Sequence, residues 1–163
     1  MFSIFKKKEI EQPKELKAIL SGQVIPLNQV PDQVFSARIM GDGVAVEPEN
    51  CTVYAPADSE VIAVMEDSRH ACGLKLENGM EILIHVGLDT VEMKGDGFEL
   101  FVKMGDQVAA GDPLISFDPE KIQKAGHPTI TVMTVTDEGK AKNITFHTGF
   151  HATAKESVLA EFQ

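Results

Sequence analysis

The chain has 163 residues, the size of one domain, and should bury about 70% of its unfolded surface without needing a metal or disulfide staple. Hydrophobic residues make up 43% and charged residues 25%, which excludes a disordered chain, and two cysteines cannot build a disulfide scaffold. A formal charge of −10, with 17 acidic against four basic residues between Asp42 and Glu120, has the wrong sign for a nucleic-acid binder and suits a basic protein partner.

Residues 1–17 read as a flexible tail, and residues 18–163 as the folded domain. Met1, Ile4 and Phe5 beside Lys6, Lys7 and Lys8 could make weak contact with an anionic membrane. No run reaches the ~20 apolar residues of a membrane span. The basic residues follow the short apolar stretch, the wrong order for a secretory signal, so a cytoplasmic protein with reduced thiols is expected.

After Pro26 short apolar runs alternate with Pro, Gly, Asn and Asp, as in Val44–Val46, Thr52–Tyr54 and Val61–Val64. Leu74 to Ile84 reads as a hairpin around Asn78-Gly79, taken as a two-residue turn in which both residues need positive φ. Asp118-Pro119-Glu120 starts a short helix ending near Gly126, with Asp118 as cap and Pro119 in the first turn. Strands follow at 129–136 and 157–162. With no long helical stripe, no G-x-G-x-x-G and no P-loop, the chain is expected to be an all-β antiparallel sandwich or barrel with one or two short helices.

The two-residue turn sets a register in which Cys72 faces His85 and His70 faces Gly87. His70 and His85 then share one face on a diagonal, with Cβ atoms about 7–8 Å apart. A neutral imidazole is a nucleophile near neutral pH, and a second can orient it or hydrogen-bond what it attacks. The same pair could bind adventitious zinc, with Cys72 or Asp89 as a third ligand. Gly87 opens space before the ring and Asp89 puts a carboxylate nearby.

Ile84-His85-Val86-Gly87-Leu88-Asp89-Thr90-Val91, with Lys94-Gly95-Asp96-Gly97-Phe98 following, resembles the glucose-family enzyme IIA of the bacterial phosphotransferase sugar-uptake system. Pro31–Phe35, Gly41–Ala45, Tyr54–Asp58, His70-Ala71 and Gly105–Leu114 extend the resemblance from about Ser21 to the C-terminus. It implies a barrel-sandwich hybrid built on a duplicated hybrid motif. It also implies a monomeric phosphotransferase component that accepts a phosphoryl group from HPr at the tele nitrogen of His85, supported by His70, and passes it to a IIB domain of a sugar permease. No cofactor is implied. Ser68 stands where the family usually has Thr, and its hydroxyl can orient His70. Asp42 and Asp89 match acidic positions flanking the site. Glu66 and Asp67 depart from a rim that is more apolar in relatives, and Cys72 replaces a larger apolar residue. His127, His147 and His151 match no family site and read as surface or loop residues.

Three rivals are distinguishable. A biotinyl or lipoyl swinging-arm carrier would use Lys94 after Met93, in a domain about half this length. A zinc peptidase would need a third ligand besides His85 and Asp89. A regulatory binding protein without turnover overlaps with the carrier reading.

Overall fold

The computed structural model describes residues 14–163. In chain order the strands are β1 (Lys14–Lys17), β2 (Gly22–Pro26), β3 (Asp42–Pro48), β4 (Thr52–Tyr54), β5 (Ser59–Val64), β6 (Ala71–Lys75) and β7 (Glu81–Val86). They continue with β8 (Phe98–Leu100), β9 (Gln107–Val108), β10 (Pro113–Phe117), β11 (Thr131–Asp137), β12 (Thr145–Phe146), β13 (Phe150–Ala152) and β14 (Val158–Phe162). Two short helices, α1 (Gln33–Ser36) and α2 (Pro119–Lys124), complete the expected all-β architecture.

Eight strands form one sheet in the order β13-β2-β3-β11-β7-β6-β5-β9, and two three-stranded sheets, β1-β14-β12 and β4-β10-β8, accompany it. Every pairing is antiparallel. The main core joins residues of all three sheets, including Leu16, Val46, Leu74, Ile84, Ile115 and Phe162. A smaller core of Ile25, Leu27, Val30, Phe35, Ala45, Leu88 and Val132 includes one side chain of α1. Between them β7 alternates in register: Ile82, Ile84 and Val86 enter the main core, which leaves His85 on the other face.

Two expectations need correction. The boundary after residue 17 leaves a whole strand out of the fold: Lys14–Lys17 pairs with β14 and Leu16 is fully buried, because one apolar side chain on a paired strand suffices to tie the segment down. The rest of the tail, with its lysine cluster and membrane contact, lies outside the described residues.

The hairpin turn is three residues long. Leu76 N–H donates to the Met80 carbonyl (2.8 Å), Gly79 N–H returns to the Leu76 carbonyl (2.9 Å), and only Gly79 has positive φ (+87°). This is the turn-plus-left-handed-glycine loop, in which Asn78 needs no positive φ. Asn78 Oδ1 instead accepts from Met80 N–H, and its carbonyl accepts from Lys140 N–H. The register therefore moves by one: Ala71 faces His85 and Cys72 faces Ile84. Cys72 belongs to the main core, where burial pushes its thiol up to about 12.

Candidate active site

With the register shifted, strict alternation would send the side chains of residues 70 and 85 to opposite faces. They meet because His70 precedes β6 at a bend entered through Arg69, whose φ is +56°. The His70 carbonyl accepts from Val86 N–H at 2.8 Å, tying the bend to β7. The two rings lie edge to face, with centroids 4.6 Å apart and planes at 88°. The two histidines meet through this bend and not through strand alternation.

Each ring is held through Nδ1. His85 Nδ1 lies 2.8 Å from the Gly87 carbonyl oxygen, which only accepts, so the neutral ring carries its proton there and leaves Nε2 bare. His70 Nδ1 lies 2.7 Å from Ser68 Oγ, and both residues are buried, His70 at 3% exposure. Burial, reinforced by the facing imidazole, pushes His70 down to about 4. His85 is also lowered, chiefly by burial, against the opposing pull of the Gly87 carbonyl and the carboxylates of Asp32 and Asp89.

A pH dependence follows. His70 folds neutral with its pKa depressed below the unfolded value, so it contributes stability at neutral pH that is lost as pH falls from about 6.5 toward 4. From pH 7 to pH 5 urea unfolding should show about 2 kcal/mol of loss from this residue, absent in His70→Gln.

Asp32 and Phe35 were not singled out individually. Asp32 caps α1, accepting from the backbone N–H groups of Val34 (2.9 Å) and Phe35 (3.2 Å). This sets Phe35 against His85, with ring centroids 5.2 Å apart at 60°. The capping pattern, Asp followed by an apolar pair, was the available signal. Asp89 is at the site, exposed and left-handed (φ +58°), just before a 3-10 turn over Thr90–Met93. Asp42 is elsewhere. It faces Val135 and, across β11, Ile82, whereas Ala45 and Val132 face His85; sheet spacing puts its Cα about 14 Å from that of His85. Its carboxylate is engaged by Arg38 Nε and Gly43 N–H, both at 2.9 Å. Asp32 thus holds the position beside His85 expected of Asp42.

Gly87 has φ +72°, and a Cβ there would overlap Thr90 Cγ2 and stand 3.0 Å from the Pro128 carbonyl oxygen. Gly87→Ala should cost roughly 2 kcal/mol or more in a urea melt, since both conformation and space oppose it. His127, His147 and His151 lie beside carboxylates of Glu92, Glu161 and Glu49. Among the described residues no three His, Cys, Asp or Glu side chains converge to hold a metal, and with Cys72 in the core the histidine pair gains no ligand from it. No helix of the described residues is long and apolar enough to cross a membrane.

An antiparallel β-sandwich seats two edge-to-face imidazoles, one with a bare Nε2 whose lone pair is able to take a group. Residues 14–141 match the profile of the EIIA 1 family of the phosphoenolpyruvate-dependent sugar phosphotransferase system, and the chain belongs to that family. It is 47% identical over 136 residues to a glucose-specific EIIA component of Bacillus cereus, covering 83% of this chain and 82% of that protein. It is 46% identical over 145 residues to a glucose-specific EIIBCA component of Corynebacterium glutamicum, covering 89% of this chain but 21% of that longer protein. Among solved structures, glucose permease IIA from Mycoplasma capricolum superimposes with a TM-score of 0.84 at 31% identity, covering 93% of this chain and 96% of that one. Membership removes the swinging-arm carrier and the peptidase; Lys94 is an exposed residue closing the 3-10 turn.

Proposed function

We propose that His85 is the residue through which this chain carries a phosphoryl group between proteins. The bare Nε2 carries this reading. Its lone pair attacks the phosphorus of phosphorylated HPr; the N–P bond of the donor breaks and its electron pair stays on the donor nitrogen as the new N–P bond forms on His85. The proton stays on Nδ1, hydrogen-bonded to the Gly87 carbonyl, which stabilises the cationic ring formed. His70, neutral and accepting at Nδ1 from the Ser68 hydroxyl, presents Nε2–H to a phosphoryl oxygen and spreads the charge built up during transfer. Asp32 and Asp89 put negative charge beside the phosphorylated ring, which keeps the group transferable.

The acceptor is a IIB domain of a sugar permease, in keeping with relatives that join A, B and C components in one chain. Names such as glucose-, mannose- and glucoside-specific among relatives point to a hexose or glucoside system. Exposed apolar side chains neighbour the site's residues along the chain: Val34 beside Phe35, Ile39 and Met40 after α1, Met65 before the His70 bend and Val91 after Asp89. They form a docking rim on an acidic chain, suited to a partner with an apolar contact ringed by basic residues. Two free cysteines accord with work in the cytoplasm.

Intact mass after incubation with phosphoenolpyruvate, enzyme I and HPr tests the carrier function. One acid-labile phosphoryl group is expected. No uptake, with both donor proteins shown active, would mean the fold serves another purpose.

A further inference from the structure

The side chain of Thr90 is completely buried, although it belongs to a 3-10 turn whose neighbours Asp89 and Val91 are exposed. Its hydroxyl donates to the Val86 carbonyl at 2.5 Å, closing the 86–90 turn from within. Its methyl group fills the space in front of Gly87, where a Cβ would collide with it. The Leu88 N–H, on the far side of the turn, donates to the Pro128 carbonyl at 3.2 Å. The Gly87 carbonyl is therefore aimed at His85 Nδ1 by a turn with two fastenings, one of them Thr90. Val86, whose carbonyl Thr90 holds, also links both histidines, because its N–H bonds the His70 carbonyl.

The geometry points to Thr90 as a positioning residue: its hydroxyl, acting through the Val86–Gly87 turn, fixes which nitrogen of His85 is free to react. Without that bond the turn loses a restraint within one residue of Gly87, the carbonyl moves off Nδ1, and the proton is no longer confined to that side of the ring. The hydroxyl and the methyl do separate things. The methyl occupies volume, which valine reproduces; the hydrogen bond survives only in serine. This inference rests on the reading of His85 as the phosphoryl acceptor for its consequence, but its first readout does not.

That readout is the tautomer of His85 in unphosphorylated, 15N-labelled protein at neutral pH, from long-range 1H–15N correlations. Wild type should show a protonated Nδ1 and a bare Nε2. Thr90→Val should move both nitrogens toward the averaged shifts of a mixed population, and Thr90→Ser should keep the wild-type pattern. Phosphoryl acceptance from HPr should fall about ten- to hundredfold in Thr90→Val and return to within a few-fold in Thr90→Ser. If Thr90→Val does not fold, Thr90→Ala takes its place with the same expectation. A folded Thr90→Val or Thr90→Ala with an unchanged tautomer overturns the role, as does loss of the pattern in Thr90→Ser. Wild type that takes up no phosphoryl group, together with a shifted tautomer in Thr90→Val, would refute the carrier reading and leave the positioning role standing.

Discussion

His85→Ala should leave a chain that folds and takes up no phosphoryl group. The side chain projects from β7 away from the main core, so its loss leaves Ile82, Ile84 and Val86 and the pairings to β6 and β11 in place. What disappears is the bare Nε2. The facing ring is a poor substitute, because it is buried, its Nδ1 is taken by Ser68 and its Nε2 carries the proton, so neither nitrogen offers a free lone pair. Acceptance from HPr should fall to background, at least about 10⁴-fold, while the urea midpoint moves little. Labelling at an equal rate would place the acceptor elsewhere.

His70→Ala should separate acceptance from donation. Nε2 of His85 and its Gly87 anchor do not require the His70 side chain, so phosphoryl uptake persists at a reduced rate. Passing the group to IIB is expected to need charge on the phosphoryl oxygens spread as the N–P bond of His85 breaks, and the edge-to-face ring, its centroid 4.6 Å away, can donate there. Loss of one such donor costs about 10²–10³ in rate. Phosphorylated His70→Ala should accumulate and discharge to IIB at that much reduced rate, measured by rapid quench. Ser68→Ala should show the same imbalance more weakly, since it leaves the ring but frees its orientation. Equal discharge by wild type and His70→Ala would remove the transition-state role.

Much of this site was legible because the chemistry sits on short local signals. His85, Gly87 and Asp89 lie within one strand end and its turn, and the alternation of β7 puts His85 on the face away from the main core. What escaped involved choices that local pattern does not decide. Asn78-Gly79 fits a two-residue turn and a three-residue loop equally well, and the contact of Asn78 with Lys140, far along the chain, accompanies the longer one. A one-residue slip moves every side chain to the other face, and the histidines still meet only because Arg69 bends the chain before β6. Asp42 and Asp32 are both acids in turn-like surroundings; which lies near His85 depends on how α1 folds back over the sheet. Lys14–Lys17, charged at three of four positions, gives no strand pattern by itself, and its partner is β14 at the other end of the chain.

The most direct test of the account is to map the phosphoryl group on the chain after donation by HPr, combining peptide mass spectrometry under alkaline conditions with 31P–15N correlation. A single group on Nε2 of His85 is expected, with Nδ1 still protonated and bonded to Gly87. A phosphoryl group on Nδ1 of His85, or on His70, would contradict it.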